Sequence, residues 1–151
     1  MQFFAQQDSI LTKAENLAWL ENFKKIETRA EQVEAIKAKI IADSSDHKKQ
    51  GITRIVGTKE TWYKSDSLFK AVLENPQSEC KILFLYNGVI LDYEIYPKKI
   101  DIISFFNASN IDLITVIEED IAMALYGVRG SCGVVVISSA NRRLKRKIRR
   151  L

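Results

Sequence analysis

The residues of this chain that could carry out covalent chemistry are few. Cys132 stands in a glycine-rich stretch and is the candidate nucleophile. A thiol nucleophile needs a neighbouring base, yet the sole histidine, His47, stands in a polar segment much earlier in the chain. The acids at 118–120 are adjacent in sequence, which favours a helix start, whereas opposed catalytic carboxylates normally come from separate elements. The sequence therefore predicts a protein that is not an enzyme.

The two cysteines, Cys80 and Cys132, offer a disulfide more readily than a metal site. There is no Cys-x-x-Cys pair and a single histidine, so we expect neither a metal nor a cofactor. Each cysteine comes just before an apolar run. If the two runs form parallel neighbouring strands, both thiols lie at the same end of the sheet and can bond, provided that the protein is exported. The alternative is a pair of half-buried free thiols.

A basic tail is predicted at residues 141–151. Its seven cationic residues are Arg142, Arg143, Lys145, Arg146, Lys147, Arg149 and Arg150. Without them the formal net charge of +4 becomes −3, so the basic character belongs to this tail alone. Leu144, Ile148 and Leu151 recur at i, i+4 and i+7, which predicts a short amphipathic helix suited to an anionic membrane. Nucleic acid is a weaker alternative, because the tail has no aromatic residue for base stacking. A solvated tail that binds neither is the third interpretation.

The elements that must position these residues fit in one domain, predicted at residues 9–140. The chain has 151 residues, of which 46% are hydrophobic and 28% charged. No apolar run approaches the roughly 20 residues that span a bilayer. Residues 1–8 are similar to the end of a signal peptide, with Ala5 near a cleavage point, which predicts an exported protein. An ordinary cytosolic N-terminus is the alternative.

Residues 9–42 carry the clearest helical pattern. Apolar residues recur every three or four positions, with no glycine or proline between them. The pattern predicts one long helix, capped at Asp8 or Ser9. Its apolar stripe packs along a sheet in one interpretation and forms a homodimer seam in the other.

Shorter elements follow a polar connection at 43–51. An apolar segment at 52–56 is a candidate edge strand. Asn87-Gly88 is the strongest two-residue hairpin signal in the chain. Core strands are predicted at 82–86, 89–91, 112–117 and 134–138. Helices are predicted at 65–74, 97–108 and 121–126. We therefore expect an α+β fold with a small mixed sheet.

Three glycines spaced by three, Gly127, Gly130 and Gly133, separate the last predicted helix from the last strand. A phosphate-binding glycine loop precedes its helix, whereas this one follows a helix, so we expect a purely conformational role. Tyr126 is expected to be half-buried, with its hydroxyl group in contact with solvent. Arg129, between two glycines, can reach a carboxylate at 118–120 and stabilise the fold; a ligand contact is the alternative.

Residues 81–139 resemble the second half of the plug domain of TonB-dependent outer-membrane receptors. Three pieces occur in the family's order: Ile82–Leu91, Asn110–Glu118 and Ala124–Ile137. The last piece contains Tyr126-Gly-x-Arg-Gly-x-x-Gly-Val134, the pattern that closes the plug. The resemblance implies a plug-like topology and a periplasmic or cell-envelope location.

The chain also departs from that family. Asn87 stands where the family usually has aspartate, and the long helix at 9–42 is not expected at the front of a receptor plug. No alternating strands are present to build the receptor barrel. We therefore expect no transport activity. The predicted function is a non-enzymatic, plug-like module of the cell envelope that binds a protein partner, and the alternative is peripheral binding of an anionic membrane or nucleic acid through the tail.

Overall fold

The computed structural model describes residues 12–49, 80–93 and 95–151. Within these ranges the protein has the predicted α+β fold, with helices around a small mixed sheet. Three predictions lie outside the described residues: the leader remnant at 1–8, the apolar segment at 52–56 and the helix at 65–74.

The elements follow one another in this order. They are α1 (Lys13–Lys24), α2 (Arg29–Lys49), β1 (Leu83–Tyr86), β2 (Val89–Ile90), a 3₁₀ helix (Lys99–Phe105), β3 (Leu113–Ile117), α3 (Glu119–Tyr126), a 3₁₀ turn (Gly127–Gly130), β4 (Val134–Ser138) and α4 (Arg142–Arg150).

The sheet has the strand order β2-β1-β4-β3. β1 runs parallel to β4, with Leu83 opposite Val134, and the other two pairs are antiparallel. The predicted hairpin turn is confirmed, because Asn87 and Gly88 have φ of 46° and 83°. Among the described strands, β1 and β4 are thus central, and β2 and β3 lie on the outside.

The prediction of one long helix at 9–42 is wrong. The chain leaves the helical path between Lys24 and Arg29, and α2 then runs on to Lys49 through most of the predicted polar connection, His47 included. The Thr28 hydroxyl accepts a hydrogen bond from the Glu31 N–H, so it starts a new helix where the old one could have continued. The apolar spacing continues across the break, so the sequence pattern does not reveal where α1 ends and α2 begins.

The break lets both helices pack on the first face of the sheet. Their buried residues Leu20, Phe23, Val33, Ile36 and Ile40 belong to the core of this chain together with residues of β1 and β4. Trp19 joins the same core by stacking on Phe23, with ring centroids 5.0 Å apart. The stripe proposed as a dimer seam is therefore used for core packing.

The second face of the sheet carries a smaller cluster. Leu83, Leu85 and Val134 are buried there with Ala122 of α3. In the described part of the chain, α3 is the one helix that contributes to this cluster. The short α3 thus packs on the second face of the sheet, whereas several elements pack on the first face.

The predicted helix at 97–108 is shorter and more tightly wound than expected. It is a 3₁₀ helix, Lys99–Phe105, and Phe106 is already extended with ψ 134°. The Asn107 side chain accepts hydrogen bonds from the N–H groups of Ser109 and Asn110, which favours a turn over further helix.

Candidate interaction surfaces

The glycine loop at 127–133 fixes α3 to the sheet. Gly127 and Gly133 have φ of 65° and 87°, a conformation that side chains disfavour. A Cβ on Gly130 would lie 2.4 Å from the Ala122 carbonyl oxygen, and one on Gly133 would lie 2.6 Å from Leu20 Cδ1. The loop therefore needs glycine for backbone geometry and close approach, in agreement with the predicted conformational role.

Arg129 does not make the predicted ion pair with the acids at 118–120. It is exposed, and among the described residues it forms no ion pair. Two of those acids are occupied by lysines of α1: Glu118 lies 2.5 Å from Lys24 Nζ, and Glu119 pairs with the buried Lys13. The acidic start of α3 thus ties this helix to α1.

The Lys24–Glu118 pair shifts the protonation of both groups. The ammonium of Lys24 lowers the pKa of Glu118 below its ordinary value of 4.5. Glu118, and then Glu21, raises the pKa of Lys24 above 10.5. Both groups are exposed, so solvent screens the pair and its contribution to stability is small.

Cys80 and Cys132 are joined as a disulfide, with their Cα atoms 5.9 Å apart. Each lies just before one of the two parallel central strands, as predicted, and the Leu83 N–H donates to the Gly133 carbonyl at 3.1 Å beside them. Cys132 is fully buried. Its sulfur is engaged in the bond, which removes the one candidate nucleophile that the sequence offered.

The outer side of α3 is an apolar patch. We define the α3 patch as Ile121 and Leu125 of α3 and Val128 of the following 3₁₀ turn, whose exposed fractions are 62%, 63% and 49%. Ala122, on the other side of the helix, is fully buried against the sheet. Tyr126, at the helix end, is 36% exposed, which is compatible with the predicted half-buried side chain. Exposed apolar side chains grouped on one element are typical of interaction sites.

The predicted basic tail is a folded part of the domain. Helix α4 is capped by Asn141, whose side chain accepts hydrogen bonds from the N–H groups of Arg143 and Leu144. Leu144 and Ile148 are buried in the main core, and α4 packs against the 3₁₀ helix. The amphipathic helix is thus correctly predicted, but its apolar side faces the protein's own core.

The outer side of α4 is entirely basic. We define the α4 basic face as its seven lysine and arginine residues between 142 and 150, all of which are exposed. Within the described residues, none of the seven has an acidic partner in an ion pair. Lys147 Nζ lies 3.5 Å from the ring centroid of Phe105, an aromatic residue that is 41% exposed.

Asn87 has a role that the sequence did not reveal. Its side chain donates to the Ser139 carbonyl at 2.9 Å and accepts from the Ser139 N–H at 3.0 Å. An aspartate could accept but not donate, so asparagine suits this position.

The described residues hold no group of side chains suited to a metal ion. Among the same residues, no helix is both long and apolar enough to cross a membrane. Comparison with protein-family models, with curated proteins and with solved structures finds no match. The geometry of the two surfaces is therefore the basis for a functional proposal.

Proposed function

We propose that this chain is a non-enzymatic, plug-like module of the cell envelope that binds a protein partner through the α3 patch. The observation that carries the proposal is the exposure of Ile121 and Leu125, four positions apart on the short helix α3, together with Val128 in the turn that follows it. Burying such side chains in an interface stabilises a complex by about 1.5–3 kcal/mol each before the costs of association.

The anchoring of α3 supports this role. The buried Lys13 pairs with Glu119 in its first turn, and the Ala122 carbonyl, in the middle of the helix, packs closely against Gly130. A helix held by these contacts presents its outer side chains without further ordering. Such preorganisation lowers the entropic cost of binding.

The charges beside the patch favour a protein over a membrane. Asp120, at the start of α3, is an exposed acid that forms no ion pair within the described residues. An anionic bilayer would repel it, whereas a protein interface tolerates a polar rim around an apolar centre. A partner with an apolar surface and basic groups near one end would complement this region.

The disulfide supports an envelope location. Disulfides persist in exported proteins and are rare in the cytosol, so the Cys80–Cys132 bond agrees with the periplasmic location that the plug resemblance implies. The parallel pairing of β1 and β4, which sets the two cysteines side by side, is consistent with the same topology.

Cell fractionation followed by thiol alkylation without reductant tests the location. We expect the chain in the envelope fraction with both cysteines blocked. A cytosolic protein with two reactive thiols would contradict the proposal.

Gel filtration of an envelope extract tests the binding surface. The wild-type chain is expected in a complex larger than the monomer, and the Ile121→Lys/Leu125→Lys variant at the monomer position. Leu113→Lys, at an apolar residue of β3 that is 55% exposed, is the matched control and should behave as wild type. Equal loss in both variants, or a purified chain that forms the same complex alone, would contradict binding of a partner through the α3 patch.

A further inference from the structure

We propose that the α4 basic face docks the domain flat on an anionic lipid bilayer. This inference is independent of the α3 patch and needs no protein partner. It starts from the seven exposed cations of one nine-residue helix. Since none of them is neutralised by an ion pair within the described residues, their charge is available to an external anionic surface.

The packing of α4 determines how it can bind. A free basic amphipathic helix inserts its apolar side between lipids. Here Leu144 and Ile148 are buried in the core, with exposed fractions of 2% and 7%, so that side is not available to lipid. The helix instead offers a rigid cationic surface, and binding is expected to be electrostatic and sensitive to salt.

Phe105 supplies an apolar contact at the edge of this surface. Its ring is 41% exposed and lies directly under the ammonium of Lys147. When Lys147 meets a lipid phosphate, the ring is therefore close to the interfacial region. Aromatic side chains are favoured at that depth of a bilayer.

The disulfide favours lipid over nucleic acid. It points to an exported protein, which meets anionic lipid and not the nucleic acid of the cytosol.

Sedimentation with lipid vesicles tests the proposal. The full chain is mixed with vesicles of 30% phosphatidylglycerol in phosphatidylcholine, or with phosphatidylcholine alone, at 0.1 M salt. We expect binding to the anionic vesicles alone, with loss of binding at 0.5 M salt. The Arg146→Gln/Arg149→Gln variant should bind about 30-fold more weakly.

The matched control is Lys25→Gln/Arg129→Gln, which removes two exposed cations from outside α4. It should bind anionic vesicles within about threefold of the wild type, because neither residue belongs to the α4 basic face. Circular dichroism checks that both variants are folded. Equal weakening in the two variants, absence of binding to anionic vesicles, or tighter binding to a DNA duplex at the same salt would overturn the proposal.

Discussion

Asn87 and Ser139 join the turn after β1 to the end of β4 by a reciprocal pair of hydrogen bonds. The side-chain amide of Asn87 donates to the Ser139 carbonyl at 2.9 Å, and its oxygen accepts from the Ser139 N–H at 3.0 Å. The Asn87 backbone N–H also donates to the Ile137 carbonyl at 3.0 Å. Asn87 thus links the two parallel central strands at this end, and the disulfide links them at the other end.

The first prediction concerns this pair. Asn87→Asp keeps the acceptor but sets a carboxylate against the Ser139 carbonyl, so we expect a loss of about 1–3 kcal/mol in the free energy of unfolding at pH 7. Urea denaturation measures the loss. The difference from wild type should shrink below about pH 4, where a protonated aspartate can donate. A variant as stable as wild type at pH 7 would contradict the assigned role of Asn87.

The second prediction separates two demands on the glycine loop. Gly127 and Gly133 both have positive φ, but a Cβ meets nothing within 4 Å at Gly127 and lies 2.6 Å from Leu20 Cδ1 at Gly133. Gly127→Ala should cost about 1–3 kcal/mol from backbone strain alone, because φ 65° with ψ −143° is a conformation that essentially only glycine adopts. Gly133→Ala should cost a further 1–3 kcal/mol or so, since Leu20 must also move. Equal losses in urea denaturation would show that the packing against Leu20 is unimportant.

The third prediction concerns the disulfide. The bond closes a sequence separation of 52 residues, so the Cys80→Ser/Cys132→Ser variant should lose about 2–4 kcal/mol of unfolding free energy. Reductant should destabilise the wild type to a similar degree and leave the variant unchanged. Alkylation of the native protein followed by mass spectrometry gives a direct reading: two modified thiols would show that the bond does not form.

The fourth prediction is a pH dependence from the Lys24–Glu118 pair. Since the pKa of Glu118 is lowered in the folded state, the pair stabilises the protein above the ordinary carboxyl range, and this stability is lost as the pH falls through the lowered pKa. Because the pKa of Lys24 is raised, the contribution also disappears at strongly alkaline pH.

Urea midpoints of wild type and Glu118→Gln from pH 3 to 8 check this dependence. The wild type should be slightly more stable at pH 7, and the two proteins should converge at the acidic end of the range. Added salt should reduce the difference at pH 7, because the pair is exposed. A constant difference at all pH values would mean that the charge of Glu118 contributes nothing.

The strands could be predicted because their signals are local. β1 and β4 are continuous apolar runs, and Asn87-Gly88 specifies the turn between β1 and β2. Placing Cys80 beside Cys132 required only that these runs be parallel neighbours, and they are.

The break between α1 and α2 is not evident from the sequence, because the apolar stripe of a long helix runs across the local signal for a new helix start. Thr12-x-x-Glu15 and Thr28-x-x-Glu31 both match the capping-box signature, and the first forms a complete capping box at the start of α1. The apolar stripe hides the second match, because its spacing extends from Phe23 through Ile26 to Ala30.

The ion-pair partners of the acids at the start of α3 could not be predicted from the sequence. The partners of Glu118 and Glu119 are lysines 94 and 106 residues away, whereas the expected partner, Arg129, was close in sequence. Likewise, the spacing of Leu144 and Ile148 predicts a helix with an apolar side but does not say whether that side meets a membrane or the protein's own core.

Photo-crosslinking from the α3 patch tests the proposed function most directly. A photoreactive phenylalanine derivative replaces Leu125 in one version of the chain and Glu34, an exposed residue of α2, in the other. In native cells we expect one crosslinked envelope protein from position 125, none from position 34, and loss of the product when Ile121→Lys is added. The same product from both positions, or none from position 125, would contradict the account.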